Sequence, residues 1–170
     1  MKKKLVAVCI IGLFLGTVGA FAEHPGGLGL GIVGRGGWSG GFGPALSLKI
    51  PSVPVYWGVS LGIRQHYFGV GITGDYYIID KALISDINLD WYFGFGGYLG
   101  LGSWKDGYGR DDHSGFAMNL GVRAPIGLSW KFLEHFELFG DIYAGLGFGI
   151  VPFYFPDWDI GGEIGIRYWF

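Results

Sequence analysis

Few residues in this chain could do covalent or metal chemistry. Cys9 is the only cysteine, and the histidines are His24, His66, His113 and His135. A nucleophile needs a base and an orienting group within reach. His113 adjoins Asp112 and Ser114, but neighbours on one loop do not make a preorganised triad. None of the four histidines falls on a polar strand face among acids. Asp106, Asp111 and Asp112 could gather a calcium ion, which takes several oxygen ligands, yet their spacing does not match a calcium loop. The glycines between Gly145 and Gly149 precede no helix, so they are not a phosphate loop. The expectation is a protein that is not an enzyme and uses no metal or cofactor. Lys105, Asp106, Arg110, Asp111, Asp112 and His113 are read as a solvated surface loop.

The remaining charged residues sit in alternating segments. Apolar side chains recur at every second position, the period of a strand, which places the polar residues between them on the opposite face. The final octet shows this plainly. Ile164, Ile166, Tyr168 and Phe170 share one side; Glu163, Gly165, Arg167 and Trp169 share the other. A soluble sheet would bury the apolar side in a core, whereas a transmembrane barrel turns it to lipid and the polar side to its lumen.

Eight such segments can be traced: 28–34, 42–50, 55–64, 67–77, 85–102, 115–128, 136–150 and 158–170. Most offer about 9 to 11 usable residues, enough to cross a bilayer when tilted. The connections fall at 35–41, 51–54, 65–66, 78–84, 103–114, 129–135 and 151–157. No helical period of 3.6 is present.

The polar faces carry Arg64, Asp75, Asn88, Asp90, Asn119, Arg123, Glu137, Asp141, Glu163 and Arg167. They support two readings. One is a plug of paired charges; the other is a narrow path through the lumen, for which the many inward glycines leave room. Eight strands enclose an interior just wide enough for side chains. Turns near residue 132 and at 153–155 would set Arg123 opposite Asp141 and Asp141 opposite Arg167. The expected lumen cluster is therefore Arg123, Asp141, Glu163, Arg167 and Asp90, with Asp141 between two guanidiniums.

The chain ends carry address signals. Lys2, Lys3 and Lys4 precede an apolar stretch from Leu5 to Gly19, and Ala20-Phe21-Ala22 is a small-x-small cleavage site. That is the layout of a secretory signal peptide. Cleavage after Ala22 takes 22 residues from 170 and leaves 148, one domain spanning 23–170. The loss of three lysines from 12 basic residues leaves 9 against 14 acids, a formal charge of −5. An acidic chain is no partner for nucleic acid, and without Cys9 no disulfide can form.

At the other end, Glu163, Gly165, Tyr168 and Phe170 fill the four places of a pattern that resembles the C-terminal assembly signal of bacterial outer-membrane barrels. Together with the strand count and the leader, the whole mature chain resembles the small eight-stranded outer-membrane barrels, the group that includes the transmembrane domain of outer-membrane protein A, OmpX and OmpW. The resemblance implies an all-β, closed, eight-stranded antiparallel transmembrane barrel, monomeric, with both termini periplasmic, in the outer membrane of a diderm bacterium. It implies outer-membrane lipid and the barrel assembly machinery as partners, with an extracellular ligand or host protein as a further candidate. The expected role is structural or surface-interacting; the alternatives are a narrow channel for small hydrophobic solutes, as in OmpW, and more remotely a lipid-modifying enzyme.

Overall fold

The computed structural model describes residues 26–37, 41–64, 67–105 and 114–170. The signal segment, His24, His66, Trp38 and residues 106–113 of the charged loop lie outside them.

Eight strands form one closed antiparallel barrel in sequence order. They are β1 (Gly29–Gly37), β2 (Gly41–Lys49), β3 (Tyr56–Arg64), β4 (Tyr67–Ile84), β5 (Leu89–Lys105), β6 (Ser114–Leu133), β7 (Phe136–Val151) and β8 (Tyr154–Trp169). β8 closes on β1 through nine paired residues from Gly29↔Trp169 to Gly37↔Gly161. The final amide of the chain adds a bond, Phe170 N–H to the Leu28 carbonyl at 2.9 Å. Closure leaves no sheet edge, the condition for a sheet in lipid. We call the end with the β2–β3, β4–β5 and β6–β7 connections the turn end, and the opposite one the loop end.

The facing follows the period of two. Ile32, Val122, Ile142, Ile160 and Ile164 are each more than 60% exposed on the outer wall. Leu89, Phe93, Leu120 and Leu146 also face outward, half-buried or exposed among their neighbours. The interior is polar and buried: Arg167 and Glu137 are 2% and 0% exposed. Among the described residues the buried apolar cluster is Val33, Ala45 and Phe139. This polarity is the reverse of a soluble fold.

Three expectations need correction. The segment 78–84, read as a turn, continues β4, which bulges between Tyr77 and Ile79 to keep pairing with β5. The chain turns instead through a short 3-10 helix, Ser85–Ile87, and Asn88 ends it in the left-handed region at φ 54°. Asn88 is therefore an exposed turn residue and not a lumen side chain. The 129–135 and 151–157 connections shrink in the same way, to Glu134-His135 and Pro152-Phe153.

Candidate functional site

The lumen holds the chemistry, arranged in layers along the barrel axis. The central layer is built on Arg123 of β6. Its Nε and Nη2 donate to the two oxygens of Asp75 at 2.9 and 2.7 Å, a planar fork closing on a carboxylate. Its Nη1 donates to Glu163 Oε1 at 2.7 Å. The guanidinium carbon lies 4.5 Å from the centroid of the Tyr143 ring. Opposite signs must meet here, because a charge enclosed without a partner is costly.

A second layer lies towards the turn end. Arg167 Nη1 donates to Glu137 Oε2 at 2.8 Å, and Nη2 donates to Ser47 Oγ at 2.9 Å. Glu137 also accepts from Ser129 Oγ at 2.6 Å and from Trp169 Nε1 at 2.8 Å. Aromatic rings box the guanidinium, with Phe139 at 4.3 Å and Tyr56 at 4.9 Å from its carbon. Below this layer Lys131 Nζ reaches Asp90 Oδ2 at 2.8 Å.

The five expected lumen residues all face inward, but their partners differ from the expectation. Asp141 does not bridge Arg123 and Arg167. Its Oδ2 accepts from the Tyr92 hydroxyl at 2.9 Å, and across the sheet it faces Glu163. Arg123 sits opposite Gly145, and Arg167 opposite Glu137. The cause is two misplaced turns. β6 and β7 turn at Glu134-His135, later than residue 132, and β7 and β8 turn at Pro152-Phe153, earlier than 153–155. Each moves the register by four residues. An even shift keeps every face and changes every partner.

The reading of inward glycines as free space also fails over half of the lumen. Cross-strand pairs set an aromatic residue opposite a glycine: Tyr98↔Gly121, Tyr92↔Gly127, Tyr143↔Gly161 and Phe139↔Gly165. In each pair the ring lies over the glycine, where a Cβ would collide with it. These glycines are seats for rings. Three tyrosines on successive strands, Tyr56, Tyr77 and Tyr92, also stack at 4.3 and 4.4 Å between centroids. The pairing of an inward aromatic with a glycine on the next strand was the sequence signal that could have found this plug.

Towards the loop end the lumen opens into a vestibule of about 130 Å³. One wall is bare, with Gly41, Gly43, Gly62, Gly69 and Gly71. The other carries Arg35, a residue expected in a connection but placed inside β1. Its Nε donates to the Tyr143 hydroxyl at 3.2 Å and lies 3.5 Å from Glu163, and its Nη2 is 3.8 Å from Asp159. Asn119 donates to Asp157 at 2.9 Å. Asp157 and Asp159, both buried, also went unread as lumen residues. Below the vestibule a void of about 20 Å³ lies between the Arg123 and Arg167 layers.

Of the assembly residues, Glu163 joins the central layer and Gly165 seats Phe139, while Tyr168 and Phe170 face outward. They end an outer aromatic row in which Phe136, Tyr168 and Phe170 meet edge to face at 5.1 and 4.8 Å. His135 stacks on Tyr168 at 5.6 Å. The β5 strand ends at Lys105, so Asp106, Arg110, Asp111, Asp112 and His113 of the loop fall outside the described residues. Among the described residues no group of three His, Cys, Asp or Glu side chains could hold a metal ion.

No family model and no curated protein matches the chain. Solved structures do. A major outer membrane protein from Thermus thermophilus is similar over 85% of this chain and 99% of its own, at 15% identity and a TM-score of 0.54. The N-terminal β-barrel domain of Pseudomonas aeruginosa OprF is similar over 82% and 97%, at 14% identity and a TM-score of 0.51. Neisserial surface protein A covers 84% and 96% at 16% identity, with a TM-score of 0.45. With its closed circuit of eight strands, apolar outside and ionic within, the chain has the fold of the small eight-stranded outer-membrane β-barrels.

Proposed function

We propose that this is an integral outer-membrane barrel with a structural or surface-interaction role, without catalysis and without an open pore. The carrying observation is the pair of ionic layers across the lumen, with a void of only about 20 Å³ between them. A water-filled path needs a continuous gap, and the Arg123 and Arg167 layers interrupt it. The one described histidine lies on the outer rim, stacked on Tyr168.

In this reading the segment through Ala22 directs export and is removed, and the turn end with both termini faces the periplasm. Outer-membrane lipid covers the apolar wall, the assembly machinery inserts the barrel, and the loop end offers its connections to an extracellular ligand or host protein. The protein acts as a monomer. Planar-bilayer recording with purified protein tests the central claim. Stable single-channel steps from the wild type would sink it in favour of the narrow-channel reading; a silent membrane, with protein extracted only by detergent, is the expected result.

A further inference from the structure

Two side chains of the lumen each keep one buried polar atom without a partner. Among the described residues, Arg167 gives Nη1 to Glu137 and Nη2 to Ser47, and its Nε is buried with no hydrogen-bond partner. Asp141 accepts from Tyr92 at Oδ2, and its Oδ1 is buried with no partner. Both side chains lie deep: Arg167 is 2% exposed and Asp141 9%. An enclosed donor or acceptor left unmet costs more than an ordinary hydrogen bond gains. The register sets Asp141 opposite Glu163 and Arg167 opposite Glu137, so the two do not pair across a ladder.

Both residues line the same void, the one of about 20 Å³ between the layers. A buried water needs about 10–15 Å³, so the void has room for one. Its chemistry is as selective as its size. A bare cation would face the N–H of a guanidinium, which stays charged. A bare anion would face the carboxylate. Water alone among small species can accept from Nε and donate to Oδ1 at once. Thr73, 3% exposed, stands on the same wall and brings a hydroxyl as a third partner. Buried waters have roughly two to four such partners.

We propose that one water is bound between the layers, accepting from Arg167 Nε–H and donating to Asp141 Oδ1. It spans a gap that direct pairing does not, as bridging waters do. Arg167 then holds Glu137 directly and Asp141 through the water, from the turn-end layer to the carboxylate that faces Glu163. The proposal rests on the lumen being closed at this depth. Bilayer conductance reports the closure and the resonances below report the water, so either reading can fail alone.

The test is nuclear magnetic resonance of full-length protein refolded in detergent micelles. Arg167 Nε–H should show dipolar cross-relaxation with water, of opposite sign in the laboratory and rotating frames. That sign change separates a bound water from exchange of the proton itself. Arg167→Lys assigns the resonance by its loss. Ser47→Ala and Tyr56→Phe remove hydroxyl-bearing side chains that lie against the guanidinium, and the signal should survive both. Asp141→Asn keeps an acceptor and should retain it. Asp141→Leu removes the acceptor, and Ala45→Val, on the wall of the void, fills the space; each should abolish the signal. The amide spectrum of the strands checks folding. Absence of the signal from the wild type overturns the site, as does a signal that vanishes with either hydroxyl. A signal that persists in folded Asp141→Leu or Ala45→Val protein overturns it too. Replacing sodium chloride by rubidium bromide should leave the Arg167 Nε and Asp141 carboxyl resonances unmoved. A shift of either would put an ion in the void in place of water.

Discussion

At the scale of residues, the interior is held by two arginines doing different work. Arg123 joins Asp75 to Glu163, and its loss would leave both carboxylates enclosed beside Asp141. Arg123→Ala should therefore lower stability by about 3–5 kcal/mol, the usual cost of breaking a buried pair from one side. Arg123→Lys should cost less while still losing the planar fork. Urea titration of protein refolded in lipid vesicles measures both. Gly165 makes a different prediction. A Cβ there would lie 2.7 Å from the Ile32 carbonyl oxygen and from the Phe139 ring. Gly165→Val should displace Phe139 from Arg167 and cost about 1–3 kcal/mol, as overpacking does. An unchanged urea midpoint would show that the ring is not seated as described.

At the scale of elements, alternation was enough to assign the face of almost every strand residue, because a period of two admits only two answers. It also put Arg123, Asp141, Glu163, Arg167 and Asp90 inside. It could not fix which residues meet. Strand partners depend on where a turn falls, and the turn residues Glu134-His135 and Pro152-Phe153 sit in stretches where several positions looked equally suited. Four residues of slip move a partner by about 13 Å along the strand, enough to trade Asp141 for Asp75 and Glu137. Arg35 and Asp159 were harder to see, because glycines around them blurred the apolar alternation. The outer face tests the same facing by depth. Ile142, 68% exposed, should cost about 2–4 kcal/mol when changed to arginine if it sits near the midplane. Trp130, which packs through Phe132 on Phe136 at the turn end, should cost only about 0–1 kcal/mol. Equal losses at the two sites would contradict this placement in the bilayer.

For the whole molecule, closure depends on the last strand meeting the first. Phe170 is the final link, bonded through its amide to Leu28 and packed edge to face on Tyr168. Deleting it, or replacing it with glutamate, should lower the yield of inserted barrel in cells while leaving export to the periplasm intact. Fractionation followed by immunoblotting reads both quantities. Normal outer-membrane levels would make the terminal pattern incidental.

The barrel wall is not of one height. β1, β2 and β3 have 9 residues each, while β4 to β8 have 16 to 20. At about 3.3 Å per residue, one side stands roughly half as tall as the other. A bilayer meeting this rim cannot match both heights at once. Lipids beside β1–β3 must thin, or the whole barrel must lean, at a cost of fractions of a kcal/mol per ångström. The molecule thus has a direction in the plane of the membrane. Its low side is the arc of β1, β2 and β3, and its high side the arc from β4 to β8.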